Sequence, residues 1–242
     1  MSDESRVTYH QGDDPEILAA SQRARDTFRH FFHEVALDYN RIVPALTLAC
    51  MKVPFSDDDD LHSSVEHMWV DHISFDGELI SGVLINEPNE LETVKQGDEV
   101  SFPLDQVGDW LLMIGDTVYG GHTIQVIRSR MPRGELKDYD AAWGLPFPDE
   151  VLLPEHNHKF ENVIADGLTE QIAKDATLVE QIFDDGLTLL HMEALFGRLA
   201  CVKVLLDNGA STTVQCDRGW TPLDYAKSGG WEEVTELLEA AN

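Results

Sequence analysis

The strongest constraint on this chain is a self-similarity near its end. Gly186-Leu187-Thr188-Leu189-Leu190-His191 lies over Gly219-Trp220-Thr221-Pro222-Leu223-Asp224 with glycine on glycine and threonine on threonine, 33 residues apart. The first copy continues through Ala194, Gly197, Val202-Lys203-Val204-Leu205-Leu206 and Asn208-Gly209-Ala210, the second through Ala226, Gly230 and Val234-Thr235-Glu236-Leu237-Leu238. Each copy reads as a pair of short helices. A threonine hydroxyl caps the first helix, Pro222 presets its first turn, and Gly197 or Gly230 ends it so that the chain can reverse. The Val/Leu run is the buried face of the second helix, and Gly209 permits a sharp exit toward a turn at Cys216-Asp217-Arg218-Gly219. A fixed period of this length means stacked units, each burying its apolar face on the next.

The period and these residues resemble ankyrin repeats, and the resemblance implies a surface that grips another protein. Leu189 stands where the repeat usually has Pro, Glu193 where it has Ala, and Asp224 where it has His. Asp224 and the polar ending Glu239-Ala240-Ala241-Asn242 suit a terminal unit whose outer face meets water. Two units bury too little surface, and about three are needed. The segments Phe160–Ile164 and Ala176–Phe183 are therefore expected to form a degenerate first repeat, making residues 159–242 an all-α ankyrin domain that also leans on what precedes it.

The N-terminal part follows a different pattern. Residues 1–13 read as a flexible tail, and Asp14-Pro15-Glu16 opens a long helix with a capping carboxylate, a proline and a first-turn acid. Ala24, Phe28, Phe31, Phe32 and Val35 place one apolar stripe on it, made to lie on a sheet. His30, His33 and Glu34 share neighbouring faces, but Leu37 stands where H-E-x-x-H needs its second histidine, so a solvated helix face is expected. Strands follow at Leu48–Val53, Val65–Phe75, Glu78–Ile85, Glu99–Phe102, Leu111–Ile114 and Val118–Ile127. Asp76-Gly77 joins two of them in a tight hairpin. The run Asp57-Asp58-Asp59-Asp60 repels itself and lacks calcium-loop spacing, which makes it a loop. The fold class is α+β: residues 14–130 form an antiparallel sheet with a packed long helix, residues 131–158 a Pro- and Gly-rich linker packed on the domains through Trp143, Leu145 and Phe147, and the repeats follow. His156-x-His158 could ligate a metal from a strand, but a third ligand is not in sequence reach, and neither metal nor cofactor is expected.

Glu66-His67-Met68-Trp69-Val70, Gly82-Val83-Leu84-Ile85-Asn86-Glu87-Pro88, Gly97-Asp98, Asp109-Trp110 and Tyr119-Gly120-Gly121-His122-Thr123 together are similar to a bacterial domain-of-unknown-function family, numbered two-three-one-four, over roughly residues 20–130. That family implies a fold and no established activity.

The formal charge is −28, with 27 carboxylates against 11 cations in residues 1–142 and 18 against 6 in residues 143–242. Such a field repels nucleic acid and anionic membranes and attracts basic partners. The polar, acidic start is unlike a signal peptide and there is no membrane-spanning apolar run, so a cytoplasmic protein is expected. The odd set Cys50, Cys201 and Cys216, with no C-x-x-C, reads as free thiols. No phosphate-binding loop, dinucleotide fingerprint, serine elbow or zincin helix is present. A grouping of His67, Trp69, Asp109, Trp110 and His122 could serve acid–base chemistry, but it lacks a nucleophile; Trp69 and Trp110 as core, Asp109 as a turn cap and Gly120-Gly121 as a tight bend is the simpler reading.

The expected function is protein binding without catalysis. The finer expectation, partly by analogy with acidic bacterial proteins that accompany toxins, is an immunity protein neutralising a basic nuclease toxin. The alternatives are an enzyme or small-ligand domain targeted by the repeats, or a general adaptor. Candidate contacts are Asp57, Asp58, Asp59, Asp60, Asp184, Asp185, Met192, Phe196, Asp217, Arg218 and Trp220, aromatic anchors with a carboxylate rim.

Overall fold

The computed structural model describes residues 14–57, 65–156 and 158–241. The expected tail at 1–13 and the aspartates Asp58, Asp59 and Asp60 lie outside the described residues.

The stripe of aromatic residues forms the predicted helix, in two pieces. Asp14 caps α1 (Pro15–Asp26), accepting from the amides of Glu16 and Ile17. The helix then breaks at Thr27 and resumes as α2 (Phe28–Asp38). The Thr27 hydroxyl donates to the carbonyl of Arg23 at 2.7 Å, the local competition with the ladder that short β-branched polar side chains bring to helix interiors. Ala24, Phe28, Phe31, Phe32 and Val35 remain on one buried face.

Beneath them lies a six-stranded sheet, β1 (Leu46–Phe55), β2 (Glu66–Phe75), β3 (Leu79–Leu84), β4 (Glu99–Pro103), β5 (Asp109–Ile114) and β6 (Thr117–Gly120). Its order is β4-β3-β2-β1-β5-β6, and every pairing is antiparallel. The period of two sorts the sheet's faces. Met51, Val53, Val70, Ile80, Trp110 and Leu112 meet the helices, whereas Cys50, Leu111 and Val118 belong to a second apolar cluster.

Three stretches of the N-terminal part depart from the sequence reading. The helix face expected to be solvated buries His33 and Glu34, each 3% exposed. The strand expected over Val118–Ile127 ends at Gly120, and α3 (His122–Ser129) follows. Gly120 and Gly121 both have positive φ, at 75° and 71°, a reversal that side-chain-bearing residues resist. The expected linker carries α4 (Arg133–Trp143), clamped by Arg128 gripping both oxygens of Asp140 at 2.8 and 2.9 Å. Ile124, Tyr139, Trp143, Leu145 and Phe147 pack on the second cluster, so this stretch roofs part of the sheet.

The C-terminal part is helical. In place of a worn helix pair, residues 158–174 form one long helix, α5 (His158–Lys174), followed by a 3-10 turn at Ala176–Glu180. The two clear repeats follow as α6 (Leu189–Phe196) with α7 (Leu199–Asp207), and α8 (Pro222–Gly229) with α9 (Glu232–Ala241). Both begin with a reciprocal cap. The Thr188 amide donates to His191 Nδ1 at 3.0 Å, and the Thr221 amide to Asp224 Oδ2 at 2.8 Å, which explains how aspartate takes the histidine's place in the second copy. Helix α5 packs along α7. Among the described residues no helix is long and apolar enough to cross a membrane, and the three cysteines are free and buried.

Candidate partner-binding face

Two hairpin-like fingers precede the repeats. The first closes where the Phe183 amide donates to the Leu187 carbonyl at 2.7 Å, and the second where the Cys216 amide donates to the Trp220 carbonyl at 2.9 Å. They are joined side by side, because the Asp217 amide donates to the Asp185 carbonyl at 2.9 Å. That bond gathers Asp184, Asp185 and Asp217, all exposed, onto one edge. Beside them in the first finger stand Ile182, 64% exposed, and Phe183, 37% exposed. Both lie in the segment Ala176–Phe183 expected to belong to a degenerate first repeat; Ala176–Glu180 makes only a 3-10 turn, which leaves the next apolar pair on a loop.

Other expected contacts face inward. Phe196 packs on Phe32 of α2, ring centroids 5.9 Å apart. Arg218 turns back to the β2–β3 hairpin, 3.1 Å from the carboxylate of Asp76 and 3.2 Å from its carbonyl. Despite partial burial, the Asp76 carboxyl is held below the usual range by the amides of Leu79 and Glu78 and by the Arg218 cation. Trp220 stacks edge-on against Tyr225, and both rings lie so near Gly77 that a Cβ there would meet them at 3.1 Å. Met192 is half-buried on α6. Asp57 accepts from the amides of Glu92 and Thr93 and from the Thr93 hydroxyl, and that hydroxyl leads in lowering its pKa.

The contacts of Phe196, Arg218 and Trp220 belong to a seam between repeats and sheet. Arg198, 3% exposed, donates to the Ala36 carbonyl at 2.6 Å and lies 3.3 Å from Glu193. Burial raises the Glu193 pKa against the pull of Arg198. Arg29 donates to the Gly230 carbonyl at 3.0 Å, the Ser228 hydroxyl bonds the Gly77 carbonyl, and one apolar core runs from Phe28 to Leu238. The fingers are thereby presented on a fixed base.

The grouping around Asp109 is organised as a cap. Asp109 is fully buried, and its oxygens accept from the amides of Trp110, His122 and Thr123 and from the Thr123 hydroxyl at 2.6 to 2.9 Å. Lys52 donates to that same hydroxyl at 2.6 Å. Trp110 is buried, its indole donating to the Ala24 carbonyl at 2.9 Å.

A family described as an uncharacterized protein conserved in bacteria (DUF2314) matches residues 14–147, and ankyrin repeats match residues 179–226. A putative ankyrin repeat protein of Neisseria meningitidis serogroup B is 38% identical over 251 residues, covering 99% of both chains. The uncharacterized protein YegJ of Escherichia coli is 29% identical over 91 residues, 38% of this chain and 57% of its own. Protein phosphatase 1 regulatory subunit 27 of mouse is 32% identical over 111 residues, 44% of this chain and 68% of its own. The repeats make the chain a candidate for protein–protein interaction.

Proposed function

Because the chain belongs to the DUF2314 family and joins that domain to ankyrin repeats, we propose that it is a protein-binding inhibitor, an immunity protein that neutralises a basic toxin, foremost a nuclease, by occupying its cleft. The observation that carries this reading is the finger edge, where the exposed Asp184, Asp185 and Asp217 lie on two joined fingers and the exposed Ile182 and Phe183 adjoin Asp184 in the first. A nuclease cleft must be cationic to hold phosphate, and an array of carboxylates competes for the same cations. The two apolar side chains give the desolvated anchor that charge alone lacks. A chain of formal charge −28 also draws such a partner in quickly, with a rate that falls as salt rises. The mouse relative is by its name a regulatory subunit, which supports action by binding.

The test is a pull-down from native lysate with the full chain, followed by titration of the captured protein. A stoichiometric basic partner released by salt is expected. Asp184→Lys, Asp185→Lys and Asp217→Lys together should weaken it at least a hundredfold, while the ordered seam keeps the fold. A partner held equally by the reversed variant, or one indifferent to salt, refutes the assignment.

A further inference from the structure

α2, the segment leading into α5 and the residue before α9 meet in a small pocket lined by His30, His33, Glu34, Pro154, Glu155, His156 and Trp231. Next to it, His156, His158 and Glu161 bring one donor atom each within 4.8 Å of one another. The sequence reading set His156-x-His158 aside for want of a third ligand. The segment turns helical at His158, and a helix brings the residue three positions on to the same face, which is where Glu161 stands.

We propose that His156, His158 and Glu161 hold a divalent transition-metal ion of the zinc type, with its fourth position open, beside His33 of α2 and the start of α7. Four observations support the site. Glu161 is 2% exposed and its two oxygens have separate roles: Oε1 accepts from the Ala200 amide at 2.7 Å, at the start of α7, whereas Oε2 faces the histidines. Such outer bonding is what fixes a metal ligand in place. His156 Nε2 lies 2.6 Å from Glu161 Oε2, so the two donor atoms already converge on one point. His33 is 3% exposed, and its Nδ1 lies 3.1 Å from the Phe196 carbonyl. That contact puts the ring proton on Nδ1 and leaves Nε2 a buried lone pair without a hydrogen-bond partner among the described residues. Finally, the His33 and His156 rings are 4.0 Å apart, and the Trp231 ring, 5.4 Å from His33, screens the inner side.

The spacing suits the ion after small rotations. Bonds of about 2.1 Å at tetrahedral angles put donor atoms about 3.4 Å apart, inside the 4.8 Å span the three groups already show. Two imidazoles and one carboxylate are a donor set for zinc, nickel or copper rather than for magnesium or calcium.

The experiment is calorimetric titration of zinc chloride into the full chain after treatment with chelator, with the unfolding midpoint read in parallel and cobalt as an optical probe. One ion per chain, a raised midpoint and a tetrahedral cobalt spectrum are expected. His158→Ala is the main variant, because that side chain is 73% exposed and its loss leaves the fold intact; it should weaken binding about tenfold or more. His72→Ala, on the exposed β2 bulge, should change nothing. Failure of zinc to bind, or equal affinity in His158→Ala and wild type, overturns the proposal and leaves His156–Glu161 a plain ion pair.

Discussion

Arg198→Met isolates the electrostatics of the seam, since methionine keeps the aliphatic stem and removes the charge. Two losses follow from the geometry. The guanidinium bond to the Ala36 carbonyl, 2.6 Å long, is of the charged kind that contributes about 1.5–3 kcal/mol. Glu193, 8% exposed, is left without its cation, and breaking a buried pair from one side costs about 3–5 kcal/mol. The carboxyl softens the second loss by taking up a proton, which burial already favours, so a net destabilisation of about 3–5 kcal/mol is expected. At a urea dependence of about 2 kcal/mol per molar, the unfolding midpoint drops by about 2 M. Tryptophan fluorescence reports both halves, because Trp110 packs on Phe31 of α2 and the Trp231 indole donates to the Leu195 carbonyl of the first repeat, and a single shared transition is expected. Adding Glu193→Met should restore most of the loss, as apolar replacement of a whole buried pair is often neutral. A loss below about 1 kcal/mol in the single variant, or a double variant worse than the single, would refute the reasoning that the pair sits unshielded in the seam.

Gly120→Ala should cost about 2–5 kcal/mol, from the left-handed backbone plus a Cβ placed 2.3 Å from the Trp110 carbonyl; Gly115→Ala, also at positive φ but with open space around it, should cost only about 1–2 kcal/mol, and thermal melts of the two compare them directly. His191 Nδ1 accepts the Thr188 amide, and burial lowers its pKa below the ordinary histidine value. The unfolded chain thus takes up the proton first, so the stability from this cap is complete above about pH 6.5 and declines as the pH falls through that value. Melts between pH 7.5 and 5.5 should show a shallower acid decline for His191→Gln than for wild type, and parallel curves would discount the histidine.

The repeats were legible because their signals are local. Threonine, glycine and the Val/Leu run act within a few residues of themselves, and the caps at Thr188 and Thr221 close over three positions. The sheet's hairpins were legible for the same reason. What escaped depends on partners distant in sequence. Val118–Ile127 alternates like a strand, but Asp109 supplies the cap that starts α3. The Pro- and Gly-rich stretch from 131 becomes helical because Arg128 and the second cluster stabilise it. Of the expected contact face, Asp184, Asp185 and Asp217 come together and Arg218, Trp220 and Phe196 do not, since the latter three meet a hairpin turn and a helix far upstream. Nothing in the repeat's own sequence says what its fingers will touch.

The long helix α5, lying along α7 where a preceding repeat would stack, sets the length of the reading head. An extended solenoid spreads recognition over many tips and tolerates the wear of any one of them. Here an array that begins against α5 presents a pair, joined by the Asp217 to Asp185 bond. Discrimination among protein partners is therefore expected to be concentrated in a handful of side chains at the two tips.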